Sequence, residues 1–179
     1  MTGGDGFLGN AVVKLLRNSD LEVLSLTRRT PSKSGYKYCD LAVPSSLVDL
    51  LKEVAPNCIV NLAATVDFSS GVLPTLYSVN SLCPAILAEY CQRTVSYLIQ
   101  ASSIVAVGGQ HTIYGESTQL HPDTDYGCSK LLKKQQLKKQ LKRNRFFNLR
   151  INTSFFYNVM EHTGLVGCTL AFHILILMH

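Results

Sequence analysis

Residues 2–9 read T-G-G-D-G-F-L-G, and this stretch decides the fold. Its glycines Gly3, Gly6 and Gly9 recur at every third position, and helix-forming residues follow at once. Glycine lets the backbone turn tightly and approach a phosphate closely, and the start of the next helix offers free N–H groups to an anion. The pattern therefore predicts a loop that holds a pyrophosphate. Three glycines by themselves also occur in ordinary loops, so an ordinary turn without a ligand is the alternative.

Segments typical of strands and helices alternate along the rest of the chain. Apolar and β-branched runs predict strands at 22–27, 36–39, 58–63, 97–101 and 146–151, and helical patterns cover 8–17, 44–54, 74–93 and 123–141. Such alternation is typical of a parallel sheet that is covered by helices on both faces. We therefore predict an α/β fold with a doubly wound parallel sheet.

Length and composition agree with one folded domain. The chain has 179 residues, of which 46% are hydrophobic and 16% charged, so a disordered chain is excluded. The net charge of +5 is unevenly distributed, because residues 130–145 hold eight basic residues and no acid. The remainder carries 9 basic and 12 acidic residues, a charge of −3. We therefore expect no nucleic-acid partner, since a nucleic-acid-binding domain is usually basic over a whole face.

The cysteines and the termini predict a cytoplasmic protein. Six cysteines are spread without C-x-x-C or zinc-ligand spacing, which is typical of free thiols in a reducing compartment. We expect no metal. The N-terminus shows no secretory signal. The apolar stretch 165–178 has 14 residues, fewer than the roughly 20 that a membrane-spanning helix needs, so we expect no stable membrane span.

Two arginines follow the predicted strand at 22–27, at the position where an acidic residue would hold the 2′-hydroxyl of NAD. The sequence here is Leu26-Thr27-Arg28-Arg29, and a guanidinium there can pair with a 2′-phosphate. This favours NADP, with NAD as the alternative. The arginines would otherwise be solvated loop residues.

A tyrosine and a lysine lie at i and i+4 in Tyr126-Gly127-Cys128-Ser129-Lys130, on one helix face. A nearby ammonium favours phenolate over phenol, so we expect Lys130 to lower the pKa of Tyr126 and to prepare it for proton exchange with a substrate. Ser103 ends the strand YLIQASS, where the side chain faces the ligand crevice of a parallel sheet. Its hydroxyl would bond the same substrate oxygen, and Ser102 is the weaker candidate.

In five motifs the chain resembles the extended short-chain dehydrogenase/reductase superfamily, the NAD(P)-dependent epimerase/dehydratase and hydroxysteroid-dehydrogenase-like branch. They are the glycine motif at 2–9, Asp40-Leu41 after the predicted strand at 36–39, Asn61-Leu62-Ala63-Ala64 at the end of the predicted strand at 58–63, the serine motif SSIVAVG from Ser102, and Y-x-x-x-K. The resemblance implies a Rossmann-type domain over residues 1–153 that binds NADP or NAD and acts on a small-molecule substrate.

The resemblance also implies a role for each matching residue. Tyr126 would be the general acid/base, Lys130 would lower its pKa and bind the nicotinamide ribose, and Ser103 would orient the substrate oxygen. Asn80 matches a family asparagine with a catalytic role, although an asparagine there can also brace the helix. The cofactor-binding positions would be Gly3, Gly6, Phe7, Leu8, Gly9, Arg28, Asp40, Leu41, Leu62, Ala63, Ala64 and Lys130.

The chain departs from the family pattern at both ends. Only Met1 precedes the glycine motif, where the family has a central strand, so we expect the two flanking strands to lack a partner there and the fold to be incomplete. The apolar tail AFHILILM is an alternative filler of that gap. Residues 154–179 form a divergent apolar tail, of which residues 161–179 match nothing in the family, and we expect the C-terminal substrate domain to be missing.

The remaining predictions concern partners and function. A homodimer through helices 74–93 and 123–143 would match the family, although the basic charge of the second helix opposes it. The leading function is hydride transfer between nicotinamide and a hydroxyl or carbonyl carbon, as a dehydrogenase/reductase or an epimerase. The alternative is a non-enzymatic fragment or dinucleotide-binding pseudoenzyme that acts through protein contacts.

Overall fold

A computed structural model describes residues 1–32, 34–66, 73–108, 119–140 and 146–151. Five α-helices and five strands are interspersed along the described chain. The helices are α1 (Phe7–Asn18), α2 (Pro44–Val54), α3 (Leu73–Tyr77), α4 (Cys83–Thr94) and α5 (Asp125–Gln140). The strands are β1 (Ser25–Thr27), β2 (Tyr36–Tyr38), β3 (Cys58–Asn61), β4 (Tyr97–Ser103) and β5 (Phe146–Ile151). The apolar tail from residue 154 lies outside the described residues.

All strand pairs in the sheet are parallel. β1 pairs with β2, while β3, β4 and β5 form a second group in that order. Thr2 joins the groups, because it forms a parallel bridge to Leu26 on one side and to Asn61 on the other. The order is therefore β2-β1-Thr2-β3-β4-β5. This arrangement confirms the predicted doubly wound parallel sheet.

Met1 and Thr2 occupy the centre of the sheet at its carboxyl edge. The Thr2 amide donates to the Val60 carbonyl at 2.9 Å, and the Leu26 amide donates to the Met1 carbonyl at 2.8 Å. The expectation that the two flanking strands lack a partner is therefore wrong at their carboxyl ends, where Met1 and Thr2 pair with both of them. Toward the amino edge, the gap continues as a cavity of about 470 Å³, called here the central cavity. Its lining includes Val23, Leu50, Leu51 and Ile59.

The core has one layer on each face of the sheet. Ile59 of β3 and Leu98 of β4 belong to a cluster with residues of α2 and α4. Their neighbours Val60 and Ile99 belong to the other cluster, with Val12 and Leu16 of α1. Successive strand side chains point to opposite faces, so a strand that is apolar at both positions must be covered twice. This explains why the run CIVNLA at 58–63 is apolar at every position except Asn61.

The predicted helix over 74–93 is divided by a π-helical turn at Ser78–Leu82. Pro84 explains the division, because it has no N–H to donate to the carbonyl four residues earlier. The Cys83 amide instead donates to the Ser78 carbonyl, five residues back. The other boundaries are close to prediction, with α2 at the predicted residues and β1 three residues shorter at its start.

Five cysteines lie in the described part of the chain, and all five are free thiols. Within the same residues, no helix combines the length and apolar character needed to cross a membrane. Nor do the described histidine, cysteine and acidic side chains form a cluster that could hold a metal ion.

Candidate active site

The glycine loop turns directly below the start of α1. The Gly6 amide donates to the Gly3 carbonyl at 3.1 Å, and Gly3 has a φ of +71°, a conformation that favours glycine. A Cβ on Gly9 would lie 1.9 Å from the Gly3 carbonyl oxygen. Any larger residue at position 9 would therefore push α1 away from the loop.

The start of α1 is prepared for an anion. The first helical hydrogen bond runs from the Asn10 amide to the Gly6 carbonyl at 2.8 Å, so the amides of residues 7–9 have no helical acceptor. Gly6 provides no side-chain cap, and the first turn holds no acidic residue. Free amides and the positive end of the helix dipole together favour a phosphate group.

A cavity of about 350 Å³, called here the glycine-loop cavity, lies at the carboxyl edge of the sheet. Most of the residues predicted to bind a cofactor line it, namely Gly3, Gly6, Arg28, Leu41, Leu62, Ala63 and Ala64. The structure therefore brings together residues from four separate segments of the sequence. Parallel strands bind ligands at this edge.

Other predicted residues lie outside the lining of this cavity. Phe7 is 71% exposed, and Leu8 packs on the α1 side of the core. The Asp40 carboxylate accepts a hydrogen bond from the Ala42 amide at 3.0 Å, so it holds the turn before α2. Lys130 lies with Tyr126 instead.

The cavity also includes Arg29, the second of the two arginines named from the sequence, and polar residues that the sequence analysis missed, Asp5, Thr27 and Thr65. Asp5 stands within the glycine motif and Thr65 directly follows Ala64, so proximity to the motifs was an available signal. The Arg29 amide donates to the Thr27 hydroxyl at 3.1 Å, which fixes the turn that carries Arg28.

Ser103, Tyr126 and Lys130 form a buried group where β4 ends and α5 begins, with exposures of 4%, 9% and 3%. Tyr126 and Ser103 share a side-chain hydrogen bond. The Lys130 Nζ lies 5.3 Å from the centre of the Tyr126 ring. Because all strands are parallel, this group and the glycine-loop cavity lie at the same edge of the sheet.

Burial dominates the ionisation of this group. It raises the pKa of Tyr126, and the hydrogen bond with Ser103 opposes this only in part. The lowering of the Tyr126 pKa that the sequence predicted is therefore not what this structure shows. Burial also lowers the pKa of Lys130 to about 8.

Asn80 connects the glycine-loop cavity to α5. Its carbonyl oxygen accepts from the Thr65 amide at 3.0 Å, and its amide donates to the Thr65 carbonyl at 2.8 Å and to the Ser129 hydroxyl at 3.1 Å. Asn80 is fully buried, and its polar atoms are engaged in these contacts. This geometry fits the bracing role that the sequence left open.

A doubly wound sheet with a glycine loop at its carboxyl edge defines a dinucleotide-binding fold. The model of the NAD dependent epimerase/dehydratase family matches residues 1–158, and the chain belongs to this family. The match confirms the family resemblance. No curated protein matches the chain.

Solved structures of the same fold come from several bacteria. The chain is similar to WbmG from Bordetella bronchiseptica in complex with NAD and UDP, at 18% identity and a TM-score of 0.72, covering 83% of this chain and 51% of that one. It is also similar to dTDP-4-dehydrorhamnose reductase from Bacillus anthracis in complex with NADP, at 21% identity and a TM-score of 0.70, covering 84% and 51%. The dTDP-4-dehydrorhamnose reductase from Yersinia enterocolitica is similar at 25% identity and a TM-score of 0.71, covering 84% of this chain and 50% of that one. The chain therefore spans about half the length of these structures.

Proposed function

We propose that this chain carries out NAD(P)-dependent oxidoreductase or epimerase chemistry on a hydroxyl or carbonyl carbon of a small-molecule substrate. The observation that carries the proposal is the buried Ser103–Tyr126–Lys130 group at the sheet edge that also holds the glycine-loop cavity. Residues 1–153 would form the dinucleotide-binding domain. The free thiols are consistent with the reducing cytoplasm.

The groups in and beside the glycine-loop cavity would suit a dinucleotide. The amides of residues 7–9 and the backbone at Gly3 and Gly6 would hold the pyrophosphate, while Arg28 would pair with a 2′-phosphate. This arrangement favours NADP, and NAD is the alternative, as solved relatives hold either one. When bound, nicotinamide supplies the chemistry of giving or accepting a hydride.

Tyr126 would handle the proton. In the direction of reduction, the substrate carbon gains a hydride and its oxygen gains the proton of the Tyr126 hydroxyl, while Ser103 holds that oxygen in place. The raised pKa keeps Tyr126 protonated and ready to donate at neutral pH. The Lys130 ammonium beside the ring then stabilises the phenolate that is left. Oxidation reverses these transfers.

Replacing Tyr126 tests the chemistry. Tyr126→Phe removes the proton donor but keeps the ring, so we expect NADPH-dependent reduction to fall by about 10²–10⁴-fold with NADPH binding retained. The assay follows NADPH oxidation with a panel of carbonyl compounds that includes dTDP-4-dehydrorhamnose, after the reductases to which the chain is similar. Tyr97→Phe is the matched control, because Tyr97 is 45% exposed at the opposite end of β4.

Turnover that Tyr126→Phe leaves undiminished would refute the role of Tyr126. NADPH binding without turnover of any compound in the panel would support the alternative function, a dinucleotide-binding pseudoenzyme acting through protein contacts.

We also propose a homodimer through the helical segments 74–93 and 123–143. Each segment presents an exposed leucine, Leu82 at 45% and Leu132 at 43%. The basic residues of the second segment would repel their copies, so we expect light scattering to show a dimer that strengthens with salt. A monomer at all salt concentrations would contradict this.

A further inference from the structure

The π-helical turn at Ser78–Leu82 presents two consecutive polar side chains to α5. Asn80 is 0% exposed and Ser81 is 6% exposed, and both contact Ser129. Pro84 supports this geometry, since its missing N–H leaves the helix free to widen just before it. The sequence therefore places an unusual turn directly against the helix that carries Tyr126 and Lys130.

Asn80, Ser81 and Ser129 form a contact called here the serine clasp. The Ser81 hydroxyl donates to the Ser129 carbonyl at 2.8 Å, and the Ser129 hydroxyl donates to the Tyr126 carbonyl at 2.7 Å. The Asn80 amide donates to the Ser129 hydroxyl at 3.1 Å. The clasp thus holds the backbone of α5 at the residue before Lys130 and at Tyr126 itself.

We propose that Ser81 is a positioning residue for Tyr126 and Lys130, acting through the carbonyl of Ser129; this rests on the proposed function. That carbonyl belongs to the peptide group that joins Ser129 to Lys130. The Ser81 hydroxyl therefore fixes the orientation of the peptide group that precedes the Lys130 Cα, and with it the direction of the Lys130 side chain. Through the Ser129 hydroxyl, the same clasp fixes Tyr126 one turn earlier, opposite Ser103.

Positioning matters here because catalytic geometry tolerates little displacement, and a shift of about 1 Å can reduce a rate by about 10²-fold. The hydrogen bond between Ser103 and Tyr126 also depends on where α5 sits. If the clasp loosens, the hydrogen bond between Ser103 and Tyr126 weakens. Because that bond lowers the Tyr126 pKa while burial raises it, the pKa should then rise further. The ionisation of Tyr126 consequently reports the position of the helix.

The test is a tyrosine titration by ultraviolet absorbance, which requires no substrate. The difference between the natural chain and Tyr126→Phe isolates the titration of Tyr126, and circular dichroism confirms the fold at each pH. We expect Ser81→Ala to raise the midpoint of the Tyr126 titration by about 0.5 pH units or more. Ser81→Thr keeps the hydroxyl, so its midpoint should equal that of the natural chain.

Ser96→Ala is the matched control. Ser96 is 5% exposed and its hydroxyl donates to the Pro56 carbonyl at 3.0 Å, so its loss removes a hydrogen bond from a buried serine to a carbonyl near the other end of β4. Equal titrations of Tyr126 in Ser81→Ala and Ser96→Ala would overturn the proposal. A shift that is specific to Ser81→Ala supports the positioning role of Ser81 even if the turnover assay shows no activity. The positioning role and the proposed function can therefore be refuted independently.

Discussion

Lys130 combines burial with a position beside Tyr126. Only 3% of the residue is exposed, and burial lowers its pKa to about 8, against 10.5 for an ordinary lysine. Between these two values the unfolded chain binds more protons than the folded protein, so stability rises with pH through this window. Below pH 8 both states carry the charge, and the folded protein bears the full penalty of burying it.

Replacing this charge should therefore stabilise the protein. We expect Lys130→Met to raise the free energy of unfolding at pH 7 by about 2–3 kcal/mol and to remove most of the rise between pH 8 and 10.5. Urea denaturation at several pH values measures both effects. The control is Lys14→Met, at an exposed lysine of α1. Equal or lower stability of Lys130→Met at pH 7 would show that Lys130 gains more from its surroundings than it loses by burial.

Sequence reasoning at the residue scale was strongest where chemistry and spacing coincide. The i, i+4 spacing placed Tyr126 and Lys130 on one helix face, and the end of β4 brought Ser103 to them. The direction of the Tyr126 pKa was missed, because burial cannot be read from spacing. Ser81 was missed as well, since a regular helix through 74–93 gives no sign of a π-helical turn.

At the scale of elements, helix and strand positions followed from apolar periodicity, but the centre of the sheet did not. Two residues, Met1 and Thr2, suffice to bridge β1 and β3 at the carboxyl edge. No periodicity exists in two residues, so only the structure could show this bridge. The central cavity of about 470 Å³ below them remains lined by apolar side chains of both core layers.

An apolar extension should fill this cavity. We expect Val-Ile-Val-Leu-Val fused ahead of Met1 to add about 2–5 kcal/mol to the free energy of unfolding by burying apolar side chains, and to tighten NADPH binding. The extension also replaces the Met1 ammonium, whose pKa burial lowers to about 6, with a neutral amide. Thermal unfolding and NADPH titration measure the two effects.

A Ser-Gly-Ser-Gly-Ser extension is the control for the added length. It also removes the ammonium, but it brings no apolar surface. Equal stability of the two extended proteins would mean that the cavity does not accept a strand.

At the scale of the whole molecule, the alternation of strands and helices predicted the fold, and parallel topology then placed the motifs at one edge. The glycine-loop cavity collects Gly3, Arg28, Leu41 and Ala63, which are far apart in the sequence. The contacts that link this cavity to α5, from Thr65 through Asn80 to Ser129, could not be predicted, because they depend on how a loop packs against two helices.

The most direct test of the account is a titration of the full chain with NADPH and NADH, followed by nicotinamide fluorescence. We predict saturable binding of both nucleotides, with NADPH bound more tightly. Arg28→Ala, which removes the partner of the 2′-phosphate, should reduce the ratio of the NADH to the NADPH dissociation constant by about tenfold. Arg93→Ala, at an exposed arginine paired with Glu89 on α4, should bind like the natural chain. No binding of either nucleotide by a folded, monodisperse sample would contradict the central claim, and tighter binding of NADH would contradict the preference for NADP.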